Sequence, residues 1–162
     1  MTRYLITADD FLNSGLPVSD DIRHEEVEFA ISTVERNYIK PFIGEELYAE
    51  IVANPLEYES LLDETDTTNG IRHAECEMVF AWMLYDRMRL TRYTTVVKDD
   101  EHSENPSKDE IMDLCSTHWE IGLTAVIDAL TTYGHEPSDE ICPQPPFFEL
   151  AFPIYQKPKH NN

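Results

Sequence analysis

From Asp109 to Gln156 the chain has neither lysine nor arginine, and its 162 residues carry 12 such cations against 32 carboxylates. The resulting formal charge of −20 excludes one class of function at the outset. A free-standing binder of DNA or RNA needs a basic footprint to meet the phosphates, and an anionic membrane surface makes the same demand. Glycine is scarce, five in all and none clustered, so neither a phosphate loop nor a dinucleotide fingerprint can be built. No serine sits in a G-x-S-x-G elbow. No apolar run approaches the ~18 residues of a membrane span; the longest runs from Met78 to Tyr85. Cysteine is limited to Cys76, Cys115 and Cys142, an odd and widely spaced set. With no apolar leader before them, they predict a protein of a reducing cytoplasm rather than a disulfide framework.

What is present is enough apolar residue for a core. Leu, Ile, Val and Phe make up about a quarter of the chain, above the level at which a charged sequence stays disordered. The pattern is helical. Thr7 and Asp10 have the spacing of a capping box, opening a short helix that Ser14-Gly15-Leu16-Pro17 ends. Ser19 or Asp20 is expected to cap a longer helix whose stripe is Val27, Ala30, Ile31, Val34 and Tyr38, stopped by Pro41. Glu45–Ala53 reads as a short amphipathic helix, and Asn54-Pro55 as the start of another through Leu56, Leu61 and Leu62. Residues 71–93 form the most apolar helix, expected at the centre of the bundle. Ser107 and Glu110 give a second capping box. It opens a last helix with the stripe Ile111, Leu114, Cys115, His118, Trp119, Gly122, Val126 and Ala129, closed by Gly134.

The fold class expected is all-α: a small helical bundle over 1–134, with an inserted extended segment or β-hairpin at about 91–106. An extended, Pro- and aromatic-rich arm follows over 135–162. Thr, Tyr and Val around Val96 and Val97 favour an edge strand that pairs with a neighbour. In the arm, Pro145 and Pro146 stiffen the chain ahead of Phe147, Phe148, Phe152 and Tyr155, which are suited to docking on another subunit or back on their own domain. Arg87, Arg89 and Arg92 read either as partners in intersubunit ion pairs or as a helix end that complements the dipole.

Chemistry is hard to find. His24-Glu25-Glu26-Val27 lacks the second histidine of a zinc-protease helix. His73 and Cys76 are three apart on one helix, as are Cys115 and His118 on another, which places each pair on one face. Two antiparallel helices carrying them would offer a Cys₂His₂ set to zinc, but Cys115 and His118 lie within an apolar stripe and read first as core. Glu75 and Glu77 are expected on a solvated acidic face. No catalytic constellation, cofactor or metal is assigned.

The stretch Val34 to Val52, VERNYIKPFIGEELYAEIV, resembles the head–tail connector (neck, adaptor or ring) proteins of tailed bacteriophages, closest in flavour to the crAss-like group. The resemblance lies in Tyr38, Pro41, Gly44, Leu47 and Tyr48: a helix ending Tyr-Ile-x-Pro-x-Ile-Gly, then a short helix beginning Glu-x-Leu-Tyr. Helix order extends it over roughly residues 4 to 134. It implies a virion structural protein at the head–tail junction, made in the host cytoplasm. The subunit would belong to a homo-oligomeric ring, typically a dodecamer, that contacts the portal and other neck or tail proteins. DNA would pass through the lumen unbound, and no membrane would be involved. An acidic surface suits such a conduit because it repels phosphate. Two other readings fit the sequence: an acidic DNA mimic that occupies an enzyme's nucleic-acid channel, and a helical metalloprotein using His73, Cys76, Cys115 and His118.

Overall fold

The structure, a computed structural model, describes residues 4–18, 22–91 and 107–138, with the backbone alone for 87–91 and 108. The described residues are mostly helical and contain no strand. The expected extended segment around Val96 and Val97, Arg92 and the arm residues Pro145, Pro146, Phe147, Phe148, Phe152 and Tyr155 lie outside them. Arg87 and Arg89 belong to a helix whose backbone is described there, and their expected ion pairs are not. Thr91, where the expected helix over 71–93 and the expected extended segment over 91–106 overlap, lies in that helix.

The elements in order are α1 (Ala8–Leu12), α2 (His24–Val34), a π-helical turn (Glu35–Ile39), α3 (Lys40–Ile43), α4 (Glu45–Ala53), α5 (Glu59–Leu62), α6 (Gly70–Thr91) and α7 (Lys108–Thr132). Both capping boxes form. Thr7 Oγ1 accepts from the Asp10 amide while Asp10 accepts from the Thr7 amide; Ser107 and Glu110 repeat the exchange at the start of α7. Such a cap is worth about 1 kcal/mol to its helix.

Three expectations are corrected. Helix α2 starts at His24 with no side-chain cap on Arg23, because its buried stripe begins only at Val27. Asn54 closes α4 rather than opening the next helix, and α5 begins at Glu59, leaving Leu56 85% exposed in the intervening turn. Pro41 does not stop the long helix. A proline inside an α-helix has no N–H to donate, and its ring crowds the carbonyl four residues back. Here the turn before it is widened, with the Lys40 N–H donating to the carbonyl of Glu35 five residues back. A π turn is a common way to absorb such an irregularity. The helix therefore runs on to Ile43, and Gly44, at φ 96°, makes the reversal into α4. That backbone region favours glycine.

Helices α6 and α7 pack along each other, with α2 and α5 also against α6. Gly122 on α7 lies against Ala74 and Met78, whereas His118 meets Glu77 and Phe80, so α6 and α7 run antiparallel. The expectation of a central α6 holds: Met78, Val79, Phe80, Ala81, Met83 and Leu84 are all buried. Tyr38 from the π turn meets Trp119 of α7 edge-to-face, ring centres 4.8 Å apart. Beyond Gly134 the chain returns to the bundle, where the Ser138 amide donates to the Phe42 carbonyl.

Candidate functional site

The polar chemistry of this molecule is inside it. Glu35, Glu75 and Glu77 are 1%, 0% and 7% exposed, so Glu75 and Glu77 are not part of a solvated face. Each occupies a helix position that the apolar periodicity reserves for the core: Glu35 follows Val27 and Ile31 at steps of four, and Glu75 falls midway between Ile71 and Val79. A buried carboxyl is costly unless hydrogen-bonded, paired or neutral. The three resolve this differently.

Glu35 is satisfied on both oxygens. Tyr48 Oη donates to Oε1 and the Leu5 amide to Oε2, the latter at 2.9 Å. Burial and the Glu35 contact push the Tyr48 phenol well above its usual range, so it remains a donor. The Leu5 carbonyl in turn accepts from Arg72 Nε at 3.0 Å, and Arg72 Nη1 pairs with both oxygens of Asp63 at 2.7 and 3.0 Å. Leu5 is thus pinned through both its backbone groups. The N-terminal segment, the π turn, α4, α6 and the loop before α6 meet at this point.

Glu77 sits between two histidines. Oε2 lies 2.5 Å from His118 Nδ1 across the α6–α7 seam, and Oε1 lies 3.6 Å from Nε2 of His73, one turn back on α6. The ring of His118 also stacks edge-on against Phe80 at 4.6 Å.

No donor among the described residues reaches either oxygen of Glu75. Burial, and then the neighbouring Glu35 carboxyl, push it well above the usual carboxylate range. Both effects favour its neutral form.

The structure does not assemble the four residues weighed as zinc ligands. His73 and His118 converge on Glu77, and Cys76 shares with His73 the lining of a hollow that also includes Asp9, Asp10, Asp63 and Arg72, away from Cys115. Cys115 is buried in the core. Among the described residues no group of three or more His, Cys, Asp or Glu is arranged to hold a metal ion. Burial pushes both thiols up to about 12, with Glu75 also contributing at Cys76. Neither is a nucleophile at neutral pH. Among the described residues no helix is long and apolar enough to cross a membrane.

The stretch 34–52 folds as one elbow. Tyr38 is in the core, Pro41 is accommodated by the π turn and Gly44 makes the bend. Leu47 is half-buried on α4, and Tyr48 reaches back to Glu35. Among so many carboxylates the sequence reading gives Glu35 no role and puts Glu75 and Glu77 on a solvated face, where the structure buries all three; the available signal is their place on an apolar stripe. No family model matches the chain, and neither a curated protein nor a solved structure matches it.

Proposed function

We propose that this chain is a subunit of a ring joining portal and tail in a bacteriophage neck, forming part of the DNA conduit. The observation that carries the reading is the elbow of residues 34–52. Its motif residues act together: the positive φ of Gly44 turns the chain, and Tyr48 from the second helix closes on Glu35 at the root of the first. Two further features favour it. The −20 charge lets DNA slide past without sticking. Phe29 and Leu56, 65% and 85% exposed, are large apolar side chains on an acidic surface, the kind of anchor that holds an interface together. The virion neck is the proposed location, with the C-terminal aromatics as docking elements between subunits or onto the portal.

Light scattering on size-exclusion fractions and negative-stain microscopy, on the purified chain alone and mixed with the portal protein of the same phage, test this. Rings with an open lumen, formed alone or on the portal, are the expected result. A stable monomer that ignores the portal and blocks a nuclease would instead establish the DNA mimic.

A further inference from the structure

We propose that the exposed face of α2 at Phe29, with Trp82 of α6 beside it, is the seat of this chain's own C-terminal arm, which runs back along the long helix and covers the two rings with Phe147 and Phe148. The rings of Phe29 and Trp82 meet edge-on, centres 6.0 Å apart. Phe29 is 65% exposed and Trp82 is half-buried. Two adjoining aromatic rings at the surface of so acidic a chain gain by losing water to a further apolar group.

The place where the described chain ends selects the occupant. After α7 the chain returns to the bundle, and the Ser138 amide donates to the carbonyl of Phe42. Phe42 lies in α3, which follows α2 and the π turn without a break from His24 to Ile43. Phe29 is thirteen residues back along that rod, about 20 Å at the helical rise. Phe147 is nine residues beyond Ser138, about 28 Å in the polyproline II conformation that Pro143, Pro145 and Pro146 favour. The arm is therefore long enough to lay Phe147 and Phe148 on Phe29, with little length to spare.

The charges run in the same order. Phe29, Thr33 and Arg36 follow one another at steps of four and three, and none of them is buried. Arg36 is exposed, and Lys40 is half-buried beside Glu45. These two cations stand nearest to Phe42, where the arm departs, and its first two residues are the acids Asp139 and Glu140. Acid then falls over base near Phe42, and aromatic over aromatic at Phe29. A tethered arm also meets its own subunit at a higher effective concentration than it meets a second copy. In the proposed ring the arm could exchange this seat for the identical one on a neighbour, but the seat on its own subunit does not rest on that reading.

Chymotrypsin cleavage after Phe147 and Phe148, followed by mass spectrometry, tests this on the full chain, with a free peptide of residues 139–162 as the reference. Cleavage follows the population of undocked arm. In wild type it is expected to be at least about tenfold slower than in the peptide. Phe29→Ser, a change at an exposed position, should bring it close to the peptide rate. Cleavage of wild type at the peptide rate overturns the proposal and needs no variant. Protection that survives in Phe29→Ser overturns this seat. Protection that fades on dilution shows the arm on a second copy and overturns the seat on its own subunit. A chain that protects its arm at every dilution, loses that protection in Phe29→Ser and forms no ring with the portal keeps the proposal and removes the ring reading.

Discussion

Tyr48 and Glu35 are thirteen residues apart in sequence and joined by a hydrogen bond, so α4 is tied back to the π turn from which the long helix continues. Replacing Tyr48 with Phe keeps the ring and removes the donor, leaving Glu35 Oε1 buried and short of a partner. Hydrogen bonds to charged groups contribute about 1.5–3 kcal/mol. Tyr48→Phe should therefore lower the unfolding free energy by an amount in that range, read as a lower urea midpoint at an unchanged denaturant slope.

Gly122 of α7 lies close against α6. A Cβ placed there would meet Met78 Cγ at 2.6 Å and the Ala74 carbonyl oxygen at 2.7 Å. The Met78 side chain can move aside, but the carbonyl belongs to a helix, so the two helices must separate. Gly122→Ala gains helix propensity and still should destabilise by about 1–3 kcal/mol, the usual cost of overpacking. Thermal unfolding of the two proteins decides; an increase in Tm would mean that the helices tolerate the shift.

The Glu77–His118 contact is the polar bond across the same seam. A double-mutant cycle with Glu77→Gln and His118→Phe should show a coupling of about 0.5–3 kcal/mol, as for contacting residues generally. Additive losses would show that the two side chains are neighbours without interaction. The cycle is read from urea unfolding of the four proteins at one pH.

Cys76 and Cys115 should resist iodoacetamide in native protein at pH 8 and react fully in urea. Both are buried, and their thiols are held up to about 12. Peptide mapping by mass spectrometry distinguishes them from Cys142. Labelling of Cys76 in the native state would indicate that the hollow it lines opens.

Leu56 is 85% exposed in the turn after α4, so its replacement should not disturb the subunit. Leu56→Glu is expected to change stability by no more than about 0.5 kcal/mol while weakening ring formation. Unaltered assembly on size-exclusion chromatography would remove Leu56 from the proposed contact surface.

Local chemistry was readable wherever neighbours in sequence decide the outcome. The capping boxes at Thr7 and Ser107, the span of α4, the central place of α6 and the Gly134 terminus all follow from short-range patterns. Pro41 misled because its usual effect as a helix breaker was offset by a π turn, which no single residue announces. The Asn54-Pro55 pair misled because the cap it suggested competed with the end of α4. The four residues weighed as zinc ligands and read first as core were compatible in spacing on each helix; the relative rotation of α6 and α7 was not legible, and it brought His73 and His118 to Glu77 instead.

By itself the sequence determined that this is a helical, strongly acidic protein with no phosphate loop or catalytic motif, because composition and periodicity act residue by residue. Only the tertiary structure decided which of 32 carboxylates lie in the core. Burial depends on what packs from other elements, and Glu35 and Glu75 differ from their exposed counterparts by nothing in their own chemistry. The −20 charge is therefore not wholly a surface property: Glu35, Glu75 and Glu77, three of its formal contributors, are buried.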